Sequence, residues 1–138
     1  MSLLGLKVPL ALLAFVAATS AWAGTPQYVD MRMSNSEDGE QMFSFKPDTP
    51  KIYLHAGLED VPSGTKLSSV WIAEDTGGVA PANYKIDSVE ITVGSIVNVA
   101  TFSLSKPTAG WPIGAYRVDV SIGGKPAGTM QFAVEDGK

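Results

Sequence analysis

The sequence predicts an all-β protein, a two-sheet antiparallel sandwich of seven short strands. Three observations carry that expectation. Short runs of alternating apolar and polar residues recur, separated by turn signals at intervals of roughly 8 to 15 residues. Fourteen glycines and nine prolines punctuate the chain, and they cluster between those runs. Beyond residue 23 no stretch sustains a helical period over the roughly 10 residues that a helix needs.

The first 23 residues are set apart from the fold. Lys7 gives a positive start, an apolar run follows from Val8 to Ala18, and Ala21-Trp22-Ala23 forms a small-x-small site. This is the layout of a cleaved secretory signal peptide, with cleavage after Ala23. The apolar run is shorter than the roughly 20 residues that span a bilayer. Three segments follow: a signal peptide over 1–23, a polar segment with an edge strand over 24–41, and the sandwich over 42–138.

In the segment 24–41, Val29, Met31 and Met33 alternate with Asp30 and Arg32, a short strand signal. Ser34 to Glu40 reads as a turn. Met42 to Phe45 resumes an extended pattern until Pro47 and Pro50, which cannot donate ladder hydrogen bonds. The whole reads as one edge strand, broken in the middle. Ile52 to Leu58, Leu67 to Glu74 and Tyr84 to Val93 are the next strands. Ala100 to Leu104 lines one face of another. Tyr116 to Ile122 is expected to be the central strand, Gly123-Gly124 a tight hairpin turn, and Met130 to Val134 the last strand.

Two landmarks sharpen the class. Trp71 falls on the third strand and Tyr116 near the start of the sixth, just after Pro112-Ile113-Gly114. These are the places of the core Trp and the corner Tyr in immunoglobulin-like sandwiches. Val118 then stands at the position of the second cysteine, and an aliphatic residue such as Leu54 is expected to face it. The chain has no cysteine, so this sandwich is expected to hold without a disulfide. Thiol catalysis and thiolate metal sites are excluded as well.

The run from Phe45 to Val134 resembles small bacterial exported immunoglobulin-like domains. The matching residues are Phe45-x-Pro47, Ile52-Tyr53, Gly64-Thr65-Lys66 before Trp71, Gly110-Trp111-Pro112-x-Gly114-x-Tyr116-x-Val118-x-Val120, Gly124, and Phe132-x-Val134. The resemblance implies a fold and a periplasmic or secreted location, and it carries no catalytic residues across. Such domains serve mostly as binding or assembly modules.

Candidate chemistry is sparse. His55 is the single histidine, and alternation turns it outward, to the surface or a sheet edge. One imidazole without cysteine makes a poor zinc or copper site. Ser103-Leu104-Ser105-Lys106 matches Ser-x-x-Lys by letter, but it ends a strand and its usual companion motifs are missing. Met31, Met33, Met42 and Met130 could bind copper(I) through thioethers, but alternation makes Met31 and Met33 good core fillers. Glu37, Asp38 and Glu40, with Asp30 nearby, lack the spacing of a calcium loop.

The net charge of −4 argues against a nucleic-acid or anionic-membrane partner, which would want a basic patch. If Trp71 faces the core, Val70 and Ile72 face outward beside it. Two outward β-branched residues suggest a covered face, the cover being the Tyr28–Met33 segment or a partner protein. Val70, Ile72 and Trp111 are therefore the candidate partner-binding residues. No catalytic, cofactor or metal residue is assigned.

The reading is a non-enzymatic exported module. Its partner is another envelope or secreted protein, and no stable membrane insertion follows signal cleavage. Loops at Glu59–Thr65, Glu74–Asn83 and Lys106–Gly114 are available for binding. The alternative is a periplasmic carrier of a small ligand or of copper, using the methionines or the Trp111 loop.

Overall fold

The computed structural model describes residues 24–95 and 98–136. The proposed signal peptide, residues 1–23, lies outside the described residues. Eight strands form two sheets: β1 (Gln27–Ser34), β2 (Ser44–Phe45), β3 (Lys51–Glu59), β4 (Lys66–Asp75), β5 (Tyr84–Thr92), β6 (Val99–Ser105), β7 (Gly114–Ile122) and β8 (Lys125–Val134). One sheet has the order β1-β3-β6, the other β2-β8-β7-β4-β5.

The eighth strand corrects the expected count of seven. The predicted broken edge strand is two strands, and they belong to opposite sheets. β1 pairs antiparallel with β3, whereas β2 runs parallel to β8. Residues 35–43 carry the chain from one layer to the other. The crossing also makes the sandwich mixed rather than wholly antiparallel.

β7 lies in the middle of the five-stranded sheet, between β4 and β8. Its alternation is complete: Tyr116, Val118, Val120 and Ile122 are buried, while Arg117, Asp119 and Ser121 face the other way. Period-two patterning dictates this, because successive side chains point to opposite faces of a strand. Leu54 and Val118, the pair placed at the disulfide positions, are both wholly buried in one core. Trp71 is also wholly buried, and its indole N–H donates to the Ser69 hydroxyl at 3.0 Å. Tyr28 closes the sandwich from the other sheet, donating its hydroxyl to the Ser121 carbonyl at 2.8 Å.

Each part of the Gly110–Tyr116 motif has a local cause. The Trp111 amide donates to the Pro47 carbonyl, and its indole donates to the Thr49 carbonyl at 2.9 Å. The Tyr116 hydroxyl donates to the Pro112 carbonyl, the tyrosine corner of immunoglobulin-like sandwiches. Gly114 has φ 156°, and a Cβ there would lie 2.1 Å from the Asp75 carbonyl oxygen. At the β7–β8 hairpin, Gly123 and Gly124 take φ of 57° and 84°. That two-residue turn needs positive φ at both positions. With the core Trp on β4 and the corner Tyr on β7, the topology is that of an immunoglobulin-like sandwich without a disulfide.

Candidate functional site

Among the described residues a polar cluster surrounds the buried His55. It stands on β3, the middle strand of its sheet, and its side chain turns to the outer face. It is nevertheless only 4% exposed, which corrects the expectation of a surface or edge residue. Nε2 lies 3.1 Å from Ser34 Oγ and 3.4 Å from the Ser36 carbonyl, and Nδ1 lies 3.2 Å from Thr101 Oγ1. The Tyr53 ring stacks beside it, 5.8 Å away. Residues 34–39 fold over the imidazole, and alternation along β3 carries no trace of that cover. Burial lowers the pKa of His55 below 6.5, and Arg32 adds to that effect; the Ser36 carbonyl, Asp38 and Glu37 oppose it.

Ser34 and His55 sit at a nucleophile–base distance, but Ser34 is wholly buried and its hydroxyl is bonded to the Ser36 carbonyl. The far ring nitrogen meets a hydroxyl where a triad places a carboxylate. As arranged, these groups fasten the 34–39 loop to the sheet.

The other expected chemistry is dispersed. Met33 is wholly buried in the core, and Met31, Met42 and Met130 pack half-buried against it. Glu37, Asp38 and Glu40 are exposed, as is Asp30, which takes φ 52° at the bulge in β1. Among the described residues, no three of His, Asp and Glu group as a metal site would require. Ser103 lies within β6, a strand.

The three candidate partner-binding residues do not share one site. Val70 and Ile72 lie on the outer face of β4. Val70 is half-buried and Ile72 is 9% exposed. Their cover is not the Tyr28–Met33 segment, because β1 belongs to the opposite sheet and Tyr28 points into the core. Ile72 instead lies between Arg117 and Lys85 on the neighbouring strands, whose aliphatic stems can cover it. Arg117 is held there by Glu74 Oε2 at 3.1 Å, Asp119 Oδ2 at 3.1 Å and Asn83 Oδ1 at 3.0 Å.

Trp111 lies at one end of the sandwich and is 2% exposed. It helps line an apolar cleft of about 520 Å³, with Val79, Ala80, Pro81, Tyr84, Ile86, Pro107 and Pro112. The walls are the β4–β5 and β6–β7 loops, two of the three loops anticipated for binding. Val79 is 72% exposed, Tyr84 50%, and Ile113 beside Pro112 53%. These three were not singled out from the sequence. Val79 in a Gly-Gly-Val-Ala-Pro loop was the available signal, since a large aliphatic there has no strand to bury it.

No protein-family model matches the chain, and no curated protein matches it. Several solved structures are similar. An immunoglobulin-like protein from Pseudomonas aeruginosa is 18% identical over 81% of this chain and 93% of that one, with TM-score 0.49. An alkylpurine DNA glycosylase from Pseudomonas fluorescens, bound to DNA with an abasic site analogue, is 13% identical over 86% of this chain and 32% of that one, TM-score 0.49. β-Glucosidase 3B from Thermotoga neapolitana in complex with glycerol is 15% identical over 80% of this chain and 16% of that one, TM-score 0.47. At these scores the likenesses carry no argument; the fold stands on the topology and the two aromatic landmarks.

Proposed function

We propose that this protein is a non-catalytic, exported binding or assembly module of a bacterial envelope. Its partner is another envelope or secreted protein. One observation carries the reading: of the five large apolar side chains left exposed among the described residues, Val79 and Tyr84 line the Trp111 cleft, and a third, Ile113, follows Pro112 of its wall in the chain. Rigid sheets hold two loops there, and exposed apolar surface of this kind marks interaction sites. Val70 and Ile72 would add little apolar contact, since Ile72 is flanked by Arg117 and Lys85 and the half-buried Val70 by Asp119 and Ser88. Export rests on the layout of residues 1–23 and on the resemblance.

The test is affinity capture from the native envelope fraction, comparing the wild type with Val79→Asp and Ile113→Asp. Both side chains are exposed, so both variants should stay folded. The proposal expects one stoichiometric partner, lost in both variants. A partner retained equally by all three proteins would contradict it.

The same cleft favours one second reading, a carrier of a small apolar ligand seated beside Trp111. A ligand bound only by the folded state raises the melting temperature. A screen of metals and small molecules that raises it, with the rise lost in Val79→Asp, would move the assignment to the carrier.

A further inference from the structure

Sheet edges present unpaired N–H and C=O groups and invite added strands, so proteins blunt them with charges, prolines, bulges or extreme shortness. Three of the four edges are blunted here. β1 has a bulge at Asp30, and the chain beyond it covers its rim: the Met42 amide donates to the Met33 carbonyl and Arg32 Nε to the Gly39 carbonyl. β2 has two residues and runs into Lys46-Pro47. β5 carries Lys85, Asp87 and Glu90, breaks register against β4, and its Ser88 amide is taken by Asp87 Oδ1.

Among the described residues β6 has none of these devices. Val99-Ala100-Thr101-Phe102-Ser103-Leu104-Ser105 contains no charge and no proline, and it pairs with β3 over its whole length without a register shift. The direction of its free groups follows from the flanking bonds. The Asn98 carbonyl accepts from the Leu58 amide, and the Lys106 amide donates to the Pro50 carbonyl. Even-numbered residues therefore turn their backbone groups to β3. Val99, Thr101, Ser103 and Ser105 turn theirs to the open side.

We infer that β6 pairs antiparallel with β6 of a second copy of this chain, about a twofold axis at Phe102. This register sets Thr101 opposite Ser103 and Val99 opposite Ser105, and every outward backbone group of the four residues gains a partner. The pairing is self-complementary, as a twofold interface must be. It opposes hydroxyl to hydroxyl, a favourable cross-strand pair, and brings no like charges together. The two three-stranded sheets become one six-stranded sheet. The inference is argued from the β6 edge alone, so it does not rest on the proposed function. The net charge of −4 opposes association at long range, and salt screens that repulsion.

The test is sedimentation of the full chain, expressed with its native processing, across micromolar to millimolar concentration. Amide hydrogen exchange is read on the same samples. The wild type should show a dimer fraction that rises with concentration and with salt. The Thr101 and Ser103 amides should slow in step with it. Ser103→Pro removes an N–H that makes no internal bond and should remain a folded monomer. Val99→Lys, a second route to the same block, should weaken the dimer at least tenfold. A monomer at every concentration overturns the inference, even if an added foreign strand then protects these amides. A dimer that survives both substitutions also overturns it.

Discussion

The phenol ring of Tyr116 lies flat on the ring of Phe132, with centroids 5.0 Å apart and planes 11° from parallel. Phe45 and Trp71 approach the same Phe132 ring edge-on, at 5.6 Å and 6.2 Å. Trp111 meets Tyr116 edge-on at 6.1 Å. Five aromatic rings from β2, β4, β7, β8 and the β6–β7 loop thus share one cluster. It sits where the chain changes sheets and at the base of the Trp111 cleft.

Truncating this cluster should be costly. Trp71→Ala and Phe132→Ala should each lose about 3–5 kcal/mol of stability, measured by urea unfolding. A loss below about 1 kcal/mol for either would show that its ring is not at the centre of the packing.

The corner hydrogen bond should be separable from the ring. Tyr116→Phe keeps the stack on Phe132 and deprives the Pro112 carbonyl of its donor. The cost should be about 1–3 kcal/mol. Burial pushes the Tyr116 and Tyr28 hydroxyls up to about 12. The folded state then keeps protons that the unfolded chain releases near 10. This contribution is whole below pH 10 and is lost as pH rises toward 12. Alkaline unfolding should be blunted in a double Tyr28→Phe, Tyr116→Phe variant compared at equal starting stability.

His55 makes the opposite prediction at low pH. Its folded pKa lies below 6.5, so the unfolded chain takes up a proton first. Stability present above pH 6.5 should fall as pH drops through that lowered value. His55→Gln should flatten this segment of the pH–stability curve while carboxylate titration remains. An unchanged slope would mean that the imidazole stays hydrated under the 34–39 loop.

Two glycines with positive φ should respond differently. Gly114→Ala drives a Cβ against the Asp75 backbone and should destabilise by more than about 1 kcal/mol. Gly124 has open space around it at φ 84°. Gly124→Asn suits that turn position and should change stability by less than about 0.5 kcal/mol. Thermal unfolding of the two variants decides the point.

Much of the fold was legible because alternation reports which face of a strand is buried. Trp71, Tyr116, Val118 and Leu54 were placed by the immunoglobulin-like landmarks, and all four are buried. The break near residue 41 was legible as a break. That its halves join opposite sheets was not, because sheet membership depends on pairing partners distant in sequence. His55 was read as outward-facing, and it is. Its burial comes from a loop laid over the sheet, which periodicity along β3 does not encode. Ile72 was legible as outward too, but its shielding depends on Arg117 and Lys85 lying alongside, one strand on either side. The apolar end of the sandwich was foreshadowed only as two loops, since Val79 and Ile113 belong to no periodic run.

The central claim is that the Trp111 end binds another envelope protein, and site-specific photo-crosslinking in living cells tests it most directly. A photoreactive residue at Val79 should give one dominant adduct with a second protein. The same residue at Gln131, exposed on β8, should give none. Equal adducts from both positions, or none from Val79 while the protein is folded and abundant, would contradict the account.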